Sequence, residues 1–201
     1  MDTNRLEAFS DGVFAIAITL LVLEIKVPHS GTALGRELLS LWPSYFAYAI
    51  SFIVIGAIWI NHHAMFDHIV RVDHKLLLLN TFHLMFIAFL PFPTAVLAQA
   101  LHNGADEPLA TSFYGCTLTV IGVFVTAMWY YAAHEHRLLS ENISRGEARR
   151  NGRRFLVGPV CYSIATIVAL IAPWLALTIY IALNVFFLWP RHGHATHKNA
   201  I

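Results

Sequence analysis

Charge is scarce in this chain: Asp, Glu, Lys and Arg together make up 12% of its 201 residues, against roughly 25% in soluble domains. That shortage excludes a fold solvated on all sides. With 57% hydrophobic residues and a mean hydropathy of +0.60, the composition reads as a polytopic membrane protein. A net charge of +1 offers no basic field for nucleic acid, so no nucleic-acid partner is expected. Cysteine is nearly missing as well. Cys116 and Cys161 lie far apart inside apolar segments, which excludes a disulfide framework and a Cys-rich metal site and predicts two buried free thiols. The N-terminus has one arginine followed by Glu7 and Asp11 and no small-x-small cleavage pattern, so no signal peptide is expected.

What the chain has is long apolar runs. They fall at about Leu6–Ile25, Leu41–Ile60, Leu76–Leu97, Phe113–Ala133, Phe155–Ile171 and Trp174–Trp189. A crossing helix needs about 20 residues for a hydrocarbon core of about 30 Å. The first four runs meet that length, and the last two are short, divided only by Ala172-Pro173. One continuous helix there would be about 50 Å long, so a tight hairpin is the better reading. The expectation is an all-α protein with six transmembrane helices, residues 1–191 forming the membrane domain and 192–201 a short cytoplasmic tail.

Basic residues set the orientation. Arg5, Arg71, Lys75, Arg137, Arg145, Arg149, Arg150, Arg153, Arg154, Arg191 and Lys198 fall on one face, and only Lys26 and Arg36 fall opposite. The positive-inside rule then puts both termini in the cytoplasm, with the chain multi-pass in the cell's inner (plasma) membrane. Glu141–Arg154, with Gly146 and Gly152 as breaks, reads as a cytoplasmic loop touching anionic headgroups. Membrane lipids are thus expected partners. His192, His194 and His197 form no recognisable metal motif, and the tail reads as a disordered end. Trp42, Tyr45, Trp129, Tyr130 and Trp189 read as interface anchors.

The first run carries Arg5-x-x-x-Phe9-Ser10-Asp11 at its head. Charge at that depth is expensive and calls for a partner within protein. Asn4 and Glu7 suit a capping box, predicting a helix start at Arg5. Ile16, Leu20 and Leu23 follow at i, i+4, i+7, one face of a helix. By periodicity alone this stripe fits a lipid-facing or core surface equally well. Glu24 lies one turn beyond Leu20, where it either pairs with Lys26 or joins a ring of carboxylates focusing a field at an outer mouth. Asn80, His83 and Gln99 read as interhelical hydrogen-bonding groups.

Arg5-x-x-x-Phe9-Ser10-Asp11, followed by Thr19-Leu20 and closed by Pro28, resembles the signature of the transmembrane protein 175 family of potassium channels. Trp59-x-x-His62-His63-x-x-Phe66 resembles the family's second recurrent block. The resemblance implies a homotetramer whose pore is lined by the first helix, without a carbonyl filter; the chain has no TVGYG-like loop. It further implies a pore constriction at Ile16, Leu20 and Leu23, with Thr19 beside it for selectivity. Arg5, Phe9, Ser10, Asp11, Trp59, His62 and His63 would form a packing or gating network, with Asp11 paired to Arg5 or a histidine. Potassium is the permeant ion, with no cofactor, no metal and no enzymatic activity expected. A proton-coupled transporter, a structural membrane protein, and a hydrolase built on His62, His63 and Asp67 are the alternatives, though the HExxH arrangement of such hydrolases is missing.

Overall fold

The structure, a computed structural model, describes residues 3–28 and 34–188. Local chemistry sets the helix ends. α1 (Thr3–Leu20) already contains Asn4, so its start lies ahead of Arg5, and it tightens into a 3-10 turn over Leu21–Glu24. A short α2 (Leu34–Ser40) precedes α3 (Trp42–Phe66), which has Pro43 in its first turn, where no N–H is needed. α4 (His74–Phe89) is capped by Asp73, whose carboxylate accepts from the Leu76 N–H at 2.9 Å. α5 (Pro91–Asn103) ends at Gly104 with φ 64°, the left-handed conformation glycine adopts without strain. α6 (Glu107–Ala133), α7 (Arg145–Ala169) and α8 (Pro173–Leu188) complete the bundle, with the expected break between the last two at Ala172-Pro173.

Four of these segments are long and apolar enough to cross a membrane: Thr3–Glu24, Trp42–Phe66, His74–Asn103 and Glu107–Ala133. α7 has the length, but its first ten residues hold five arginines. α8 is apolar but only 16 residues long. Trp189 and the 192–201 tail lie outside the described residues.

Several expectations need correction. The third run is two helices, because Pro91 and Pro93 cannot donate to the helical ladder at Leu90. The hydroxyl of Thr94 donates to the Leu90 carbonyl there at 2.9 Å. Arg145–Arg154 is the start of α7 rather than a loop. Ser144 and Glu147 form a capping box that launches it, and Gly146 and Gly152 are carried inside the helix. Trp129 is fully buried, not an interface anchor; its indole donates to the Ala148 carbonyl at 3.0 Å. Gly152 lets that ring approach, since a Cβ there would press on it. Cys116 is exposed and Cys161 half-buried, so neither is a buried thiol.

α1 packs on α3 and α4, while α5 turns to α3 and α6; α7 lies along α6 and α8. The bundle holds two apolar cores. One gathers Phe14, Leu21, Val54, Leu84, Leu97 and Tyr114. The other gathers Leu6, Met65, Phe66, Leu76, Met128 and Trp129. In α1, α3 and α4 the residues between these cores are Ser10, His62, Asn80 and His83, all buried. A polar layer therefore divides the apolar interior.

Candidate functional site

α1 is packed on one side only. Leu6, Ser10, Phe14, Ala17 and Leu21 are buried, at the spacing of one helical face. On the other side Phe9, Ile16, Leu20 and Leu23 are 59%, 61%, 39% and 72% exposed. Only 28% of this span is buried within the chain, against 39% for the second and 56% for the third and fourth, so of the four spans α1 has the most surface left for lipid or further protein. Arg5, Asp11, Thr19 and Glu24 lie on its exposed surface too. Thr19 returns its hydroxyl to the Ile16 carbonyl at 2.8 Å. No ion pair joins Glu24 to Lys26 among the described residues.

The buried side of α1 meets the polar layer. His62 Nε2 donates to Asn80 Oδ1 at 2.8 Å, Asn80 Nδ2 donates to Ser10 Oγ at 3.0 Å, and the Ser10 hydroxyl donates to the Leu6 carbonyl at 2.8 Å. This one-way relay sets the imidazole tautomer and joins α1, α3 and α4 with each donor matched to an acceptor. His83 stacks on His62 with centroids 5.5 Å apart and planes 7° from parallel, and Phe14 packs against both rings.

Asp11 is held differently from the expectation. Its Oδ1 accepts from the indole Nε1 of Trp59 at 2.8 Å. No Arg5–Asp11 ion pair occurs among the described residues, and Arg5 is exposed. Six residues of helix turn the two side chains well away from one another. Neither histidine is its partner: His62 is committed to Asn80, and His63 stacks on Trp59 at 6.1 Å. Antiparallel packing of α1 on α3 brings Asp11 level with Trp59, one turn before the histidines. The structure thus brings Ser10 and His62 together through Asn80, and Asp11, Trp59 and His63 into a second chain. Phe9 stands outside both. Asn80 bridges two helices, as its type and depth suggest.

Sequence reasoning missed a third polar group, where the α3–α4 and α6–α7 connections meet. The backbone pairs across Ile69 and Leu139, and Asp73 accepts from the Tyr131 hydroxyl and pairs with Arg137 at 3.3 Å. Burial pushes the Asp73 carboxyl up, but the Tyr131 hydroxyl, the Leu76 N–H and Arg137 together outweigh it and hold the group below its ordinary value. Among the described residues no cluster of three His, Cys, Asp or Glu side chains is placed to hold a metal, and Asp67 does not complete such a set with His62 and His63.

Comparison with known proteins points in one direction. Residues 5–91 match the family model described as endosomal/lysosomal potassium channel TMEM175. The chain is 42% identical over 190 residues to a potassium channel of Chamaesiphon minutus, covering 92% of this chain and 93% of that protein. It is 37% identical to a potassium channel of Streptomyces collinus, covering 92% and 91%. The fold superposes on the crystal structure of a lysosomal potassium-selective channel TMEM175 homologue from Chamaesiphon minutus with a TM-score of 0.83, at 40% identity and over 92% of this chain.

Proposed function

The chain belongs to the transmembrane protein 175 family of ion channels, and from that premise we propose that it conducts potassium down its gradient through a pore lined by α1. The observation that carries this reading is the exposed apolar stripe of Ile16, Leu20 and Leu23 on a helix whose opposite face is packed. Four copies around an axis would cover that stripe and turn each residue into a ring, with closed symmetry satisfying every copy alike.

Ile16 forms the main constriction, with Leu20 and Leu23 as further layers. An apolar neck gates by shedding water. It also favours the ion that gives up its hydration shell more readily, which is potassium over sodium. Thr19 adds a hydroxyl beside the neck, and Glu24 concentrates cations at the outer mouth. The Ser10–Asn80–His62 and Asp11–Trp59–His63 contacts fix the rotation of α1, so that the stripe rather than the packed Leu6–Phe14–Leu21 face meets the axis. Arg5 and Phe9 extend this packing and gating set toward neighbouring copies.

In this reading residues 1–191 form one channel domain, α7 and α8 both cross, and the protein spans an inner membrane six times. Both termini, with the 192–201 tail, are cytoplasmic. The basic bias of one face supports that orientation.

The test is flux of potassium, sodium and protons in liposomes reconstituted with the purified protein under imposed gradients. Rapid, uncoupled potassium flux exceeding sodium flux is expected. Saturable flux that runs only with a proton gradient would replace the channel by a transporter. A folded oligomer that passes neither ion would leave a structural role.

A further inference from the structure

A cleft between α3, α6, α7 and α8, remote from the exposed face of α1, opens to the surface and has an internal volume of about 70 Å³. It is a surface groove rather than a closed small-molecule pocket. Its walls are apolar, with Ile58, Leu118, Ile121, Val125 and Phe187 among them, and one cation, Arg154, reaches it. Proline chemistry shapes the α7 wall. Pro159 lacks an N–H, so the Phe155 carbonyl loses its helical donor and takes the Thr126 hydroxyl of α6 at 2.9 Å instead. The amides at the wall are occupied: Asn61 donates to the Ala57 carbonyl and Asn184 to the Tyr180 carbonyl, both at 2.7 Å.

Arg154 is the exception. It forms no ion pair among the described residues, its buried Nε has no hydrogen-bond partner there, and its guanidinium lies 5.9 Å from the Phe186 ring. A half-buried guanidinium with an unpaired Nε–H and no carboxylate partner is free to take an anion. It also stands where α7 changes character. Arg145, Arg149, Arg150 and Arg153 precede it, and an apolar helix begins at Phe155. If α7 crosses as proposed above, that change marks the boundary between headgroup and acyl chain in a bilayer. We propose that this cleft binds one anionic phospholipid per chain, its phosphate on Arg154 and an acyl chain along the apolar wall. The arrangement joins one fixed cation to an apolar trough, which matches an amphiphile rather than a free anion or a second copy of the chain.

Native mass spectrometry of the purified protein in mild detergent tests this, with phosphatidylglycerol, phosphatidylcholine and inorganic phosphate as probes. Because binding and not flux is read, the result stands apart from the channel reading. Phosphatidylglycerol should bind in preference to phosphatidylcholine, with about tenfold weaker binding in Arg154→Gln and retention in Arg154→Lys. Gly158→Val narrows the cleft with Arg154 intact and should weaken binding as well. A Cβ at 158 meets Phe187 at an ordinary 3.6 Å, so this variant carries the test if Arg154→Gln does not fold. Substituting the exposed Arg149 and Arg150 by Gln should leave binding within about twofold. Equal binding of both lipids, undiminished binding in Arg154→Gln or Gly158→Val, or an equal loss in the Arg149/Arg150 variant overturns the proposal. Full displacement by inorganic phosphate reassigns Arg154 to a free-anion site and overturns it too.

Discussion

The indole of Trp59 donates to the carboxylate of Asp11 at 2.8 Å across 48 residues of sequence. This contact links the Arg5–Asp11 and Trp59–Phe66 motifs, and it gives the Asp11 carboxylate a donor at the head of a run, Gly12 to Leu23, whose one polar side chain is Thr19. Trp59→Phe keeps the ring and removes the donor. It should cost about 1 kcal/mol, read as a lower melting temperature in detergent. Asp11→Asn and the double variant complete a cycle. Additive losses would show that the two residues do not act through this contact.

Asn80 has the larger effect. Asn80→Leu strands two buried partners, Ser10 and His62, each costing about 1–3 kcal/mol when left unmatched. The expected outcome is a melting temperature well below that of Trp59→Phe, with weakened assembly. An Asn80→Leu variant as stable as the parent protein would show that the relay contributes nothing to packing.

Ile16→Asn replaces an apolar ring by a polar one in the proposed pore. The neck then holds water, and sodium flux should rise severalfold relative to potassium in reconstituted liposomes. Unchanged rates and ion preference would move the constriction off Ile16.

Asp73 sets a pH limit. Its carboxyl is held below the ordinary value of 3.8 in the folded chain. A depressed carboxyl contributes stability that is complete above the unfolded value and is lost as pH falls through the folded one. Melting temperature should therefore keep this group's full contribution, without change, between about pH 5 and 8 and lose it progressively below about pH 4. Asp73→Asn retains a capping oxygen for α4 and should flatten that acid limb. An unaltered acid limb in the variant would place the sensitivity elsewhere.

Hydropathy made the helical rods legible, and the turn at Ala172-Pro173 with them. That Ile16, Leu20 and Leu23 share a face of α1 was legible as well, but periodicity fits a packed face as readily as an exposed one, and only packing separates them. The partner of Asp11 was not. A carboxylate in a sequence suggests arginine or histidine, whereas the choice of Trp59 depends on how far α1 slides along α3. The charged start of α7 was hidden for a different reason. Ten residues with seven polar side chains and two glycines look like a loop until the Ser144–Glu147 cap and the burial of Trp129 against Ala148 and Gly152 are seen. Arg154 looked like one more member of a basic run, and only packing separates it from Arg149 and Arg150.

The two-proline interruption at Pro91 and Pro93 changes one neighbour of the third span and keeps the other, α4 lying on α1 and α6 and α5 on α3 and α6. In mechanical terms the span is an elbow, two stiff arms meeting at a joint where two prolines cannot donate and Leu90 alone carries the ladder, its N–H to Ile87 and its carbonyl to Thr94. The upper arm is tied to the Ser10 end of α1 through Asn80. The lower arm stays anchored by the contact of Thr94 with Ser51 at 2.8 Å. The joint is thereby the place where the span can bend, and replacing Pro91 and Pro93 by residues with N–H groups should stiffen it.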